Sequence, residues 1–95
     1  MSITPEVSAK TLSQLVATQI KVAMVLADDI KQSELARRIG KTEQWLSVRL
    51  RGKQPIDLND LALIAHGLGV GIQQLLPTPE QMAQAVAAAT PLNRP

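Results

Sequence analysis

The sequence has no cysteine, no phenylalanine and no tyrosine, and it contains one tryptophan and one histidine. Without cysteine, the chain has neither a disulfide framework nor a thiolate metal site. His66 alone supplies no metal cluster and no catalytic triad, so no metal and no cofactor is expected. No apolar run approaches the roughly 18 residues of a membrane span, and the N-terminus lacks the basic start and apolar core of a signal peptide. We therefore expect a cytoplasmic protein that does not bind a membrane.

The hydrophobic residues that remain are aliphatic. They make up 45% of the 95 residues, which is enough for the core of one small domain. Strands favour aromatic and β-branched residues, whereas Leu, Ala and Met favour helices. The composition therefore favours an all-α fold.

Apolar residues recur at three- and four-residue steps and predict five or six short helices. The predicted segments are residues 9–27, 32–39, 43–50, a helix after Asp57 that ends at Gly67 and Gly69, 72–76, and a last helix after Thr78. Thr42, Asp57 and Thr78 are predicted N-caps, and Gly40 is a predicted C′ residue. The chain thus divides into an N-terminal arm (1–8), a domain (9–77), a C-terminal helix (78–90) and a tail (91–95).

Four of these helices have a predicted apolar face, which comprises Leu35, Ala36 and Ile39 in the second helix and Met82, Ala85, Val86 and Ala89 in the last. In the first helix, the face comprises Leu12, Leu15 or Val16, Gln19 or Ile20, Ala23 and Leu26. In the fourth helix, it comprises Leu58, Leu61, Ala62, Ile64 and Ala65. The acidic pair Asp28 and Asp29 is expected in the turn after the first helix, because carboxylates at a helix C-terminus oppose the helix dipole.

The net charge of +2 is small, but the charge is unevenly distributed. Residues 31–53 hold seven of the ten Lys and Arg residues against two Glu, a local balance of +5, whereas the segments on either side are slightly acidic. A basic segment within a nearly neutral domain is typical of a surface that faces phosphates. It is also compatible with an ordinary solvated helix face, so other features of this segment must decide between a phosphate-facing surface and a solvated one.

The same segment contains two predicted helices joined by Gly40, Lys41 and Thr42. Ala36 lies four residues before Gly40, and Leu46 lies six residues after it. A small residue at Ala36 allows the helices to approach, Gly40 allows a positive φ, and Leu46 anchors the second helix in the core. This is the pattern of a helix-turn-helix, in which the second helix enters the major groove of DNA.

The stretch QSELARRIGKTEQWLSVRLRGKQPIDLNDLALIAHGLGVGIQQLL resembles the phage repressor and Cro family, also called the xenobiotic-response-element-type family, of helix-turn-helix proteins. The matching positions are Gln32, Leu35-Ala36, Ile39-Gly40, Leu46-Ser47, Gly52-Lys53, Leu61, Ile64-Ala65, Leu68-Gly69-Val70 and Leu75-Leu76. They continue in register through both downstream helices, so the resemblance covers about residues 20–76. It implies an all-α, lambda-repressor-like bundle of five to six helices.

The resemblance also implies which residues contact DNA. The implied base contacts are Gln32, Thr42, Glu43, Gln44, Ser47 and Val48. Gln44 suits adenine, Glu43 suits the amino group of cytosine, and the Val48 methyls suit the thymine methyl. The implied backbone contacts are Lys31, Arg38, Lys41, Trp45, Arg49, Arg51 and Lys53. Contacts to phosphate position the protein and make its affinity salt-dependent, whereas base contacts specify the sequence.

Arg49 and Leu50 depart from the family pattern, which often has an aliphatic residue and then a glutamate at these positions. Leu46 and Leu50 are spaced i, i+4, so both can face inward. Arg49 is then expected to turn outward or to pair with an acid, either Glu43 or Asp60, because an unpaired charge in the core is costly.

Trp45 is the second departure. It could cover the bundle beside the turn, or it could lie along the DNA backbone and donate its indole N–H to a phosphate. Stacking on unpaired bases is a third possibility, although one aromatic residue does not form a platform.

The function that the resemblance implies is a sequence-specific transcriptional regulator of repressor or Cro type, from a phage or prophage. It would bind double-stranded DNA as a homodimer, in the cytoplasm and nucleoid of a bacterial host. Two alternatives remain open: an antitoxin that also binds a toxin protein through residues 78–90, and a DNA-bending recombination directionality factor. An enzyme is not expected, because turn and cap roles explain the acidic pairs and no nucleophile–base pair is visible.

Overall fold

The computed structural model describes residues 9–89, and within this range it consists of helices and connecting turns without a strand. The helices are α1 (Ala9–Leu26), α2 (Gln32–Arg38), α3 (Glu43–Leu50), α4 (Leu58–Leu68) and α5 (Pro79–Ala89), with a 3₁₀ helix at Ile72–Leu75 between α4 and α5. The predicted all-α bundle of five to six helices is confirmed. The predicted arm at 1–8 and tail at 91–95 lie outside the described residues.

The core contains one large, fully buried aliphatic side chain from each of the first five helical elements. These side chains are Ile20, Leu35, Leu46, Ile64 and Leu75. α1 packs against α3, α4, α5 and the 3₁₀ helix, and α2 packs against α3 and α4. The short helices α2 and α3 are therefore held by tertiary contacts, since isolated helices of this length are not stable in water.

Local signals set most of the helix ends. Asp57 and Asp60 form a reciprocal capping box at the start of α4, in which the Asp57 side chain accepts from the Asp60 N–H at 2.7 Å. Thr78 and Gln81 do the same at the start of α5, at 3.0 and 2.9 Å. Asp28 and Asp29 lie in the turn after α1, as predicted, both with φ of +59°. Asp tolerates this left-handed conformation better than most residues do.

The predicted apolar faces of α1 and α4 are partly wrong. The buried stripe of α1 comprises Ser13, Val16, Ala17, Ile20 and Met24, whereas Leu26 is 81% exposed. In α4, Leu58 is 71% exposed and Ala62 is also exposed. Both helices carry more apolar residues than one face can hold, so periodicity alone does not decide which of them face the core.

Two helix ends also differ from prediction. Gly67 does not end α4 but lies inside it, and Gly69, with φ of +72°, is the C-terminal cap. The predicted helix at 72–76 is a 3₁₀ helix that ends at Leu75. The predicted stripe at Met82–Ala89 lies partly outside the described side chains.

Candidate nucleic-acid interface

The connection between α2 and α3 is a tight turn formed by backbone hydrogen bonds. Gly40 has φ of +72°, a conformation that favours glycine. The Lys41 N–H donates to the Ala36 carbonyl at 2.9 Å. The Thr42 hydroxyl then accepts from the Trp45 N–H at 3.0 Å and caps α3. The predicted Gly40 turn and Thr42 cap are therefore confirmed, and α3 begins at Glu43 as expected.

α2 also lies unusually close to α4. A Cβ atom built on Gly67 would be 2.5 Å from Ile39 Cγ2 and 3.0 Å from Leu35 Cδ1. The Gly67 carbonyl accepts from an Arg38 guanidinium N–H at 3.2 Å. Gly67 thus allows α2 to pack closely against α4, and this packing holds the helix-turn-helix on the bundle. The sequence predicts Gly67 only as a helix end, although a glycine inside an apolar helix pattern is itself a signal of close packing.

α3 has distinct inner and outer surfaces. Leu46 and Leu50, one helical turn apart, are buried. Thr42, Glu43 and Gln44 are exposed at the start of the helix, and Ser47 and Val48 continue this surface in half-buried positions. Gln32, the first residue of α2, is half-buried. Short polar and amide side chains on the exposed end of a helix are suited to hydrogen bonds with base edges.

Cationic side chains flank this surface. Lys31 precedes α2, Lys41 lies in the turn, and Arg51 and Lys53 follow α3; all four are exposed. After α3, the chain forms a tight turn in which the Lys53 N–H donates to the Val48 carbonyl at 2.8 Å.

Gly52, with φ of +78°, makes this turn possible and packs against the Gln14 side chain of α1. Gln14 therefore lies beside Arg51 and Lys53 in the loop after α3. The hydroxyl of the neighbouring Ser13 accepts from the Ile56 N–H at 3.0 Å. Neither residue was singled out from the sequence, because their partners lie far away along the chain.

An ion-pair cluster covers the outer face of α2. Glu34 accepts from Arg37 and from Arg38, the latter at 3.4 Å. The hydrogen bond from Arg37, helped by the charges of both guanidinium groups, lowers the pKa of Glu34. Arg38, predicted to contact the DNA backbone, is thus engaged by Glu34 and by the Gly67 carbonyl, although half of its side chain remains exposed.

Arg49 pairs with Asp60, one of the two acids expected for it. The distance between Arg49 Nε and Asp60 Oδ2 is 3.3 Å, and the two side chains are 18% and 19% exposed. Arg49 Nη1 donates to the Trp45 carbonyl at 3.0 Å, and the guanidinium carbon is 4.0 Å from the centroid of the Trp45 ring. Trp45 itself is half-buried and packs against the core, and Lys41 Nζ is 5.2 Å from its ring centroid.

The remaining candidates have structural surroundings. His66 is exposed in the last turn of α4. Within the side chains that the structure describes, no three His, Asp or Glu residues come together as a possible metal site. None of the described helices is long and apolar enough to cross a bilayer.

Two short helices joined by a tight turn, with a polar outer surface on the second helix and cations around it, define a helix-turn-helix DNA-binding protein. A family model described as helix-turn-helix matches residues 20–75. The chain therefore belongs to the helix-turn-helix family, in agreement with the predicted resemblance. It is a DNA-binding transcriptional regulator and not an enzyme.

A solved structure supports this assignment. The hypothetical transcription factor NHTF from Neisseria superposes with a TM-score of 0.66 at 27% sequence identity, over 81% of this chain and 87% of that chain. No curated protein sequence matches the chain.

Proposed function

We propose that the protein represses transcription by binding a specific sequence of double-stranded DNA, with α3 in the major groove. The observation that carries this proposal is the division of α3 into a buried row, Leu46 and Leu50, and an exposed polar start at Thr42, Glu43 and Gln44. Because Leu46 and Leu50 hold α3 on the bundle, the opposite side of α3 can enter the major groove without local unfolding. An α-helix fits the major groove, where each base pair has a distinct pattern of donors and acceptors.

The proposed contacts fall into two groups. Base edges are read by Gln32, Thr42, Glu43, Gln44, Ser47 and Val48. Phosphates are bound by Lys31, Arg38, Lys41, Arg51 and Lys53. The Gln44 side-chain NH2 can donate to N7 of adenine while its carbonyl oxygen accepts from the N6 amino group, which makes a bidentate contact. These cations lie before α2, in the turn and after α3, so along the chain they flank the residues proposed to read bases, and phosphate contacts from them would position α3.

We further propose that the protein acts as a homodimer on a two-fold site. One α3 of eight residues reads only a few base pairs, and two copies with half-sites about one helical turn apart, roughly 34–36 Å, would double the recognised sequence. A dimer bound over a promoter would then repress transcription by excluding the polymerase.

The test begins with selection of binding sequences from random duplexes, followed by footprinting on DNA upstream of the gene. Titrations then compare the selected duplex with a duplex of scrambled sequence. Gln44→Ala should weaken binding to the selected duplex by about ten- to a hundredfold, equivalent to roughly 1–3 kcal/mol, and should change binding to the scrambled duplex little. Lys53→Ala should weaken both and lower the slope of log K against log salt by about 1.

Matched controls are available on the rest of the bundle. Gln84 on α5 and Lys21 on α1 are exposed, and substitution of either by alanine should leave both affinities nearly unchanged. Equal losses on the two duplexes for Gln44→Ala would rule out its role in base reading. Failure to select any sequence would refute sequence-specific binding altogether.

A further inference from the structure

Arg49 and Asp60 connect the recognition helix α3 to the first turn of α4, and the surroundings of both residues are well defined. Asp60 Oδ2 accepts from Arg49 Nε at 3.3 Å and from the Asp57 N–H at 3.4 Å. The Asp57 carboxylate in turn accepts from the Asp60 N–H at 2.7 Å. The acceptor that Arg49 meets is therefore oriented by the backbone of α4 and not by a flexible surface side chain.

The other side of the guanidinium is held by α3 itself. Arg49 Nη1 donates to the Trp45 carbonyl one turn earlier, at 3.0 Å, and the guanidinium carbon is 4.0 Å from the centroid of the indole ring. Cations over tryptophan are attracted by the ring, more strongly where water is excluded. Trp45 packs against the core. The Arg49 guanidinium therefore lies between the indole ring held on α3 and the Asp60 carboxylate held at the start of α4.

This bridge matters because α3 packs closely against α1 and α2, and Arg49 joins it in addition to α4. The buried residues of α3 are Leu46 and Leu50, which form a single row along the helix. Arg49 and Trp45 lie to one side of the row, so they add a second line of attachment. Gln44 and Val48 lie on the opposite side of α3 from this row, and any rotation would displace them.

The displacement is large compared with the tolerance of a hydrogen bond. A helix with its side chains has a radius of about 5–6 Å, so a rotation of about 10° moves a base-reading atom by about 1 Å. Hydrogen bonds to bases require donor–acceptor distances of about 2.7–3.2 Å. A bidentate contact is lost under such a displacement, whereas flexible lysines still reach phosphates.

We propose that the Trp45–Arg49–Asp60 bridge fixes the rotation of α3 and is thereby a determinant of DNA sequence specificity. Arg49 and Asp60 are positioning residues that act through Gln44 and Val48. The inference rests on the proposed function, because it concerns how accurately α3 reads bases. It assigns Arg49 a role different from the backbone contact that the sequence resemblance implies.

The decisive variant is Asp60→Asn, because the two roles of Arg49 predict opposite results. An asparagine still accepts from the Asp57 N–H, so the capping box is kept, but the ion pair with Arg49 is lost. If Arg49 binds phosphate, releasing it and removing one negative charge should tighten binding to every duplex. If the bridge positions α3, the affinity for the selected duplex should fall by about tenfold relative to the scrambled duplex, even though the protein is more positive.

Arg49→Lys is the second variant. It keeps the charge but loses the planar fork that contacts Asp60 and the Trp45 carbonyl together. The bridge predicts the same loss of preference for the selected duplex, with an unchanged salt slope. A phosphate contact predicts nearly normal binding. Glu80→Gln on α5 removes one acidic charge from an exposed position and controls for the change in net charge.

Fluorescence of the single tryptophan measures the bridge directly. Asp60→Asn and Arg49→Lys should shift the emission of Trp45 and increase its quenching by iodide, whereas Glu80→Gln should do neither. Binding is measured at least 20 °C below the melting temperature of each variant, so that unfolding does not contribute. If both variants keep the wild-type preference for the selected duplex, the inference is overturned but the proposed function stands. A wild-type protein without sequence preference would overturn the proposed function as well.

Discussion

The close contact of α2 with α4 at Gly67 leads to a prediction that opposes the intrinsic preference of the helix. Within a helix, alanine is more favourable than glycine by about 1 kcal/mol, so Gly67→Ala would stabilise α4 if local preference decided. The new Cβ would instead lie 2.5 Å from Ile39 Cγ2 and 3.0 Å from Leu35 Cδ1. Both of those side chains are buried and have little room to move.

The expected change in the free energy of unfolding follows from the gain in helix preference and the cost of overpacking, which oppose each other. Overpacking a core by one methyl group costs about 1–3 kcal/mol, and a contact of 2.5 Å places this site in the upper half of that range. After subtraction of the gain in helix preference, Gly67→Ala should lower the free energy of unfolding by about 1–2 kcal/mol. This is a substantial part of the total stability of a domain of this size, about 5–10 kcal/mol.

Urea denaturation followed by the fluorescence of Trp45 measures this change. Ala62→Gly is the matched control, because Ala62 is exposed in the same helix and should lose about 1 kcal/mol through helix preference alone. Ile39→Ala removes the atom that the new methyl group meets. The double variant should therefore lose less stability than the sum of the two single variants. A Gly67→Ala protein more stable than wild type would refute the packing argument.

Two further substitutions test local contacts around α3 by the same measurement. Thr42→Ala should cost about 1 kcal/mol because it removes the cap of α3, whereas Thr42→Ser should be nearly neutral; equal stability of all three proteins would contradict the cap. Ser13→Ala should cost about 1–3 kcal/mol because the partly buried Ile56 N–H loses its acceptor. Thr18→Ala on the exposed side of α1 should change stability little, and a loss at Ser13 no larger than at Thr18 would contradict that assignment.

Much of the fold was predictable because its signals are local in the chain. Gly40, Thr42 and Asp57 mark helix ends through backbone conformation and capping hydrogen bonds made within four residues. The helix-turn-helix and the start of α3 at Glu43 follow from these signals. The buried faces of α1 and α4 were harder to predict, since Leu26 and Leu58 are apolar yet exposed.

The site was predictable in kind but not in its internal contacts. The basic segment at 31–53 and the polar start of α3 could be read from residue types and spacing. From the sequence, Arg49 is expected to turn outward or to pair with Glu43 or Asp60. In the structure its partner is Asp60. Burial of Trp45 against the core, with Arg49 over its ring, depends on how α3 sits against its neighbours.

Residue types and local spacing are enough to predict the helical class, the turn between α2 and α3, and the concentration of positive charge around this turn. These properties depend on composition and on interactions between residues close together in the chain. Three other contacts depend on the packing of the helices: α4 approaches α2 at Gly67, the Ser13 hydroxyl accepts from the Ile56 N–H, and Asp60 pairs with Arg49. Such contacts join residues 11 to 43 positions apart, and packing of the whole bundle selects among the partners that residue chemistry allows.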